Sequence, residues 1–115
     1  MTLKILHNPR CSKSRQTLDL LREKGFDPEI QEYLKTPPTA EELEDILNRL
    51  GMEPRAFMRR NEAEYKDNGL DDDSLSRAAL IEAMVHNPKL IQRPVVITDD
   101  KAAIGRPPEA VLEIL

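Results

Sequence analysis

The chain contains a single cysteine, Cys11, within the stretch His7-Asn8-Pro9-Arg10-Cys11-Ser12-Lys13-Ser14-Arg15. A short apolar run, Leu3 to Leu6, precedes this stretch and a helical pattern follows it, so the thiol falls where a strand ends and a helix begins. Unpaired N–H groups and the positive end of the macrodipole at a first helical turn both favour a thiolate over a thiol. Arg10, Lys13 and Arg15 add cationic charge nearby. A free thiol of pKa ~8.5 can be drawn to neutrality or below in such a place. A lone cysteine is more often a small buried apolar residue, but the flanking proline, serines and basic residues argue against a core position. One thiol also excludes an intramolecular disulfide and any zinc site built from several thiolates, so redox work requires a thiol from elsewhere.

The elements that must position this thiol can be read in order. Thr2 to Leu6 reads as a first strand, ended by the His-Asn-Pro turn signal. A helix is predicted from about Ser14 to Lys24, with Leu18, Leu20 and Leu21 at helical spacing and Gly25 as its left-handed cap. Glu29 to Tyr33 alternates weakly and reads as a second strand. Pro37-Pro38 breaks the chain, and Thr39-Ala40-Glu41-Glu42 has capping-box spacing for a helix striped by Leu43, Ile46, Leu47 and Leu50 and closed by Gly51. Pro54 starts a short helix carrying Phe57 and Met58 inward beside Arg59 and Arg60. Ser76 is a candidate N-cap for a helix from about Arg77 to His86, ended by Asn87-Pro88. Val95-Val96-Ile97-Thr98 is the strongest β signal and reads as a strand buried on both faces. A turn at Asp99-Asp100-Lys101 leads to a return strand, Ala102 to Gly105, and Arg106-Pro107-Pro108 starts a last helix. The order is β-α-β, a helical block, then β-β-α.

Composition bounds the function. A chain of 115 residues with 39% hydrophobic and 33% charged residues suits one compact domain. No apolar stretch approaches the ~20 residues of a membrane span, and the N-terminal run is shorter than a signal-peptide core, so a cytoplasmic protein without a membrane partner is expected. A net charge of −4, no Trp, two Tyr and two Phe argue against nucleic-acid binding.

A βαβ unit and a ββα unit with a cysteine at the top of the first helix resemble the thioredoxin fold with a helical insertion. The match extends to four motifs in order: His7-Asn8-Pro9-x-Cys11-x-x-Ser14-Arg15, Tyr33-Leu34-x-Thr36-Pro37-Pro38, Arg93-Pro94-Val95-Val96, and Arg106-Pro107 leading to Val111-Leu112-Glu113-Ile114-Leu115. Together they resemble the glutathione- and glutaredoxin-coupled arsenate reductase family, in particular its YfgD-type branch, across essentially the whole chain. Longer members continue past the position of Leu115. The resemblance implies an α/β, glutaredoxin-like fold with a four-stranded mixed sheet, a single domain over 1–115 and a helical insertion over about 39–90. It implies Cys11 as nucleophile, Arg59, Arg93 and Arg106 as oxyanion-binding arginines, and His7 as the histidine near the thiol. It further implies a cis Arg93-Pro94 bond, arsenate or a similar oxyanion as substrate, glutathione as co-substrate and glutaredoxin as partner, with no tightly bound cofactor and no metal. Guanidinium forks do match tetrahedral oxyanions in bidentate fashion, and three arginines at a helix N-terminus would favour the thiolate.

Residue chemistry alone reads more plainly at some of these positions. His7 is expected to hydrogen-bond the loop in preference to acid–base work, and Ser12 and Ser14 to cap the helix in preference to donating to the thiolate. The competing function is a thiol-based regulator or adaptor of the Spx type, which shares the fold and binds another protein without arsenate turnover. The regulators that switch through an internal disulfide use Cys-x-x-Cys, whereas this chain has Cys11-x-x-Ser14. Phosphatase-like arsenate reductases need Cys-x5-Arg, and position 17 here is Thr.

Overall fold

The computed structural model describes residues 3–115; Thr2, read from sequence as part of the first strand, lies outside them. The chain divides into two compact units, one made of 1–36 with 93–115 and the other of 37–92.

The first unit holds the sheet. Strands β1 (Lys4–His7), β2 (Glu29–Glu32), β3 (Val95–Ile97) and β4 (Ala102–Ile104) lie in the order β2-β1-β3-β4. β1 pairs parallel with β2 and antiparallel with β3, which pairs antiparallel with β4. Successive side chains of a strand point to opposite faces. Ile5 and its register partner Val96 join Leu3, Leu18, Leu21 and Val111 in one core, with Phe26, Ala103, Ile114 and Leu115 packed against it. Leu6 and Val95, also register partners, are fully buried on the opposite face. The expectation that β3 is buried on both faces is thus met. β2 is a sheet edge, which explains its weak apolar alternation and leaves Ile30 exposed.

Helix α1 (Ser12–Glu23) starts two residues earlier than the sequence pattern suggests, because Cys11 itself is the N-cap. Its buried stripe is Ser14, Thr17, Leu18 and Leu21, the i, i+3, i+4, i+7 set, whereas Leu20 is only half-buried. Gly25, at φ 87°, closes the helix in a Schellman motif: Phe26 N–H donates to Leu21 O at 2.9 Å and Gly25 N–H to Arg22 O at 3.0 Å. The last segment, Pro108–Ile114, is a 3₁₀-helix, not the α-helix the sequence suggests. Val111 and Ile114 are three residues apart, and the tighter winding aligns both with the core.

The second unit is helical: α2 (Ala40–Leu50), α3 (Pro54–Phe57), α4 (Ala63–Asp67), α5 (Arg77–His86) and a 3₁₀ turn at Pro88–Leu90. The capping box at Thr39 is present in both directions, with Glu42 N–H donating to Thr39 Oγ1 at 3.1 Å and Thr39 N–H to Glu42 Oε1 at 3.2 Å. Ser76 Oγ accepts from Ala79 N–H, as its position predicts. α2 and α3 pack on α5 and bring Leu43, Leu47, Phe57, Leu80 and Met84 out of solvent. α4 is a single turn anchored by Tyr65, and five residues carry too little periodicity to be read beforehand. Among the described residues no helix is long and apolar enough to cross a membrane.

Candidate active site

The loop between β1 and α1 is fixed before any side chain of the site is considered. Cys11 N–H donates to Asn8 O at 3.0 Å, and Arg10 N–H donates to Asn8 Oδ1 at 3.0 Å, an Asx turn that sets the approach to the helix. Arg15 Nη1 donates to Pro9 O at 2.9 Å, so this arginine braces the loop. Ser14, fully buried on the inner stripe of α1, ties the loop to the strand: its Oγ accepts from Asn8 N–H at 3.0 Å and shares a 2.6 Å hydrogen bond with His7 Nδ1. His7 is therefore a loop-holding residue, as its sequence context predicts. Ser14 departs from expectation, since its hydroxyl neither caps α1 nor reaches the sulfur.

The cap position belongs to Cys11. Cys11 is half-buried at the start of α1; its side chain closes no regular cap hydrogen bond, yet the backbone N–H groups of Ser14 and Lys13 face the sulfur closely enough to favour its anion. Burial is the largest single influence and opposes ionisation. The Ser14 N–H, the Arg93 guanidinium, the Lys13 N–H and the Arg106 guanidinium together outweigh it, and the thiol lies below its ordinary range. The cationic help thus comes from Arg93 and Arg106, distant in sequence. His7 is shifted down as well: burial leads, with Arg22 and Arg15 assisting and Glu32 opposing, so the ring is held neutral.

Arg106 makes the most direct contact. Its Nη2 lies 3.6 Å from Cys11 Sγ, and its Nε donates to Arg93 O at 2.8 Å, which aims the guanidinium across the loop. The backbone carrying both arginines is tightly set. Arg93-Pro94 is cis, as the resemblance implies, and Arg106-Pro107 is a second cis bond that the sequence reading did not foresee. Between them, Gly105 N–H donates to Pro94 O at 2.9 Å. A Cβ on Gly105 would lie 2.5 Å from Thr17 Oγ1 and 2.7 Å from Pro94 Cγ. Thr17 is fully buried, its Oγ1 donating to Lys13 O at 2.8 Å. Gly105 and Thr17 are supporting residues that sequence reasoning missed. Their signals were a glycine directly before an arginine, and two polar residues, Ser14 and Thr17, opening an otherwise apolar stripe.

The structure thus brings Cys11, Arg93 and Arg106 together and joins His7 to Ser14. Arg59 belongs to the second unit, where its Nη1 lies 2.6 Å from Glu62 Oε1 and its N–H donates to Leu90 O at 2.8 Å. Among the described residues no cluster of three or more His, Cys, Asp or Glu could hold a metal ion.

A mixed β2-β1-β3-β4 sheet with a cysteine at the N-terminus of α1 and a cis-proline before β3 defines a thioredoxin-like α/β protein. The model of the ArsC family matches residues 6–114, and the chain belongs to that family. It is 58% identical over 114 residues to the uncharacterized protein YfgD of Escherichia coli, covering 98% of this chain and 96% of that protein. With an arsenate reductase of Neisseria meningitidis it shares 47% identity over 114 residues, 98% of this chain and 97% of the other. The solved structure of an arsenate reductase from Vibrio cholerae superposes with a TM-score of 0.97 at 51% identity, covering 100% of this chain and 98% of that one.

Proposed function

We propose that the protein is a glutathione- and glutaredoxin-dependent arsenate reductase working in the cytoplasm, with Cys11 as nucleophile. The observation that carries this reading is the Arg106 guanidinium 3.6 Å from a sulfur whose pKa is lowered at a helix N-terminus. Two guanidiniums brought near one point repel unless an anion offsets them, and a scaffold gains nothing from that arrangement. A thiolate offsets them at rest, and a tetrahedral oxyanion does so when substrate arrives.

The Cys11 thiolate forms a bond to arsenic(V) and displaces one oxygen, which leaves as water after protonation. The thiolate of glutathione displaces a second oxygen in the same way, giving a Cys11–S–As–S–glutathione adduct. A glutaredoxin thiolate then attacks the glutathione sulfur. That S–As bond breaks, its electron pair reduces arsenic(V) to arsenic(III), and a glutaredoxin–glutathione disulfide departs. Water replaces Cys11 on arsenic, releasing arsenite and the free thiol. Both electrons come from the two external thiols, as a chain with one cysteine requires. Arg93 and Arg106 hold the oxyanion and stabilise the charge moving onto its oxygens. The family resemblance adds Arg59 to this set, and His7 with Ser14 holds the loop that presents the sulfur.

The test is arsenite formation from arsenate with glutathione and glutaredoxin supplied. The wild type is expected to turn over and Cys11→Ser to be inactive while folded; activity retained in Cys11→Ser sinks the assignment. The adaptor reading predicts no turnover by either protein.

A further inference from the structure

At the carboxyl ends of β1 and β2 the first unit has a cleft of about 210 Å³. Such strand ends are where open α/β sheets take their ligands. One wall is the nucleophile loop, His7 to Arg10, immediately before Cys11; the other is Glu32, Leu34 and Lys35. His7 and Glu32 are register partners, so the two walls start side by side. Both are tied down. The loop is held by the Asn8, Ser14 and Arg15 bonds described above, and the 32–36 turn is closed by Lys35 N–H and Thr36 N–H donating to Glu32 O at 2.9 and 3.0 Å. Gln31 Nε2 adds a bond to Thr36 O at 2.7 Å. That turn buries Tyr33 and leaves Leu34 41% exposed on the rim, one of two large exposed hydrophobics among the described residues.

The charges of this cleft define its occupant. Arg10 and Lys35 are cationic, Glu32 is anionic and 3.5 Å from Lys35, and His7 is held neutral. Two cations and one carboxylate on a chain of net charge −4 complement a ligand with two carboxylates and one ammonium, with Pro9 and Leu34 offering apolar surface between them. We propose that this cleft is the subsite for the external thiol, a small dicarboxylic amino-thiol of the glutathione type, held beside the loop that presents Cys11. The proposal rests on the reductase reading for its purpose and on the cleft for its chemistry. Arg10 and Lys35 take the two carboxylates and Glu32 the ammonium, leaving the sulfur to the reaction.

S-methylglutathione, whose sulfur cannot react, is the probe, titrated into the folded protein and followed by backbone amide chemical shifts. Saturable shifts are expected at Asn8, Arg10, Leu34 and Lys35. The double charge reversal Arg10→Glu with Lys35→Glu is expected to weaken binding about tenfold, and Leu34→Glu to weaken it independently. In the coupled assay the double variant should raise KM for glutathione by a similar factor. Shifts clustered elsewhere, no saturable shifts, or equal affinity in the reversed variant overturn the subsite even if arsenate is turned over. Binding at the cleft without any arsenate turnover removes the reductase reading and leaves the subsite standing. Shifts at this surface with reduced glutaredoxin alone overturn the small-thiol occupant in favour of a protein.

Discussion

Cys11 and Arg106 supply the sharpest predictions at the scale of single residues. The Cys11 thiol should alkylate as a thiolate below the ordinary cysteine range, and Arg106→Ala should raise its apparent pKa by removing one guanidinium from the sulfur. Alkylation rate against pH measures both; an unshifted thiol, or an identical profile in Arg106→Ala, counts against the site. Ser14→Ala leaves Asn8 N–H and His7 Nδ1 without their partner and is expected to cost about 1–3 kcal/mol by denaturant unfolding. Cys11 was legible in the sequence because a thiol between a strand and a helix, flanked by bases, has few structural uses. The source of its activation was not. Arg10, Lys13 and Arg15 lie next to it along the chain, yet Arg15 turns to Pro9 O while Arg93 and Arg106 act on the sulfur. Chain proximity is a poor guide to which charge a side chain can deliver.

Among the elements, the β4-to-3₁₀ connection is the one on which the site depends. Gly105→Ala drives a methyl group into Thr17 and Pro94, and overpacking of this kind costs about 1–3 kcal/mol. The same shift moves Arg106, so the variant is expected to lose thiolate character at Cys11 as well as melting temperature. A stability loss with an unchanged alkylation profile would show that Gly105 supports the fold alone. Thr39→Ala, by contrast, removes one half of a capping box on α2, and about 1 kcal/mol of stability should be lost without effect on Cys11 reactivity. Caps and stripes were readable because they are local: Thr39, Gly51, Ser76 and the span of α5 all fall where their residue types place them. Gly105 was not, because a close approach between β4 and α1 leaves no local signature beyond the missing Cβ. The 3₁₀ winding of Pro108–Ile114 escaped for a similar reason, since an apolar pair three apart suits either helix.

For the whole molecule, titration couples the site to stability. His7 has its folded pKa pushed below the ordinary value near 6.5, so the unfolded chain binds more protons than the folded one between those two values. Stability from this group is therefore fully present above pH about 6.5 and lost as pH falls through the folded value. The Cys11 thiolate has the same sign in a higher window, its contribution being present above the unfolded thiol range and lost on descent through its folded pKa. Melting temperature should accordingly fall on acidification below 6.5, and His7→Gln should flatten that fall. Arg59 is tested kinetically. Loss of arsenate kcat/KM in Arg59→Ala, with Cys11 alkylation unchanged, is the outcome expected if it serves the oxyanion. The β-α-β then β-β-α frame was legible because hydrophobic period and turn chemistry mark each element, whereas the order of the strands in the sheet came only with their pairing. Division into one unit of 1–36 with 93–115 and another of 37–92 follows the sequence break at Pro37-Pro38 and the return at Arg93.

The position of Cys11 at the head of α1 has a consequence for the proposed turnover. The Ser14 and Lys13 N–H groups face the sulfur and favour its anion, so any covalent adduct drains charge from the atom they face. The helix is best satisfied only when the sulfur is unencumbered. In the proposed reaction, discharging product is then favoured by the scaffold as well as by water, like a latch that returns to its closed position. Carboxamidomethylation by iodoacetamide imitates an adduct that can never discharge, and the alkylated protein should melt below the free one; equal melting temperatures would show that the first turn is indifferent to its sulfur.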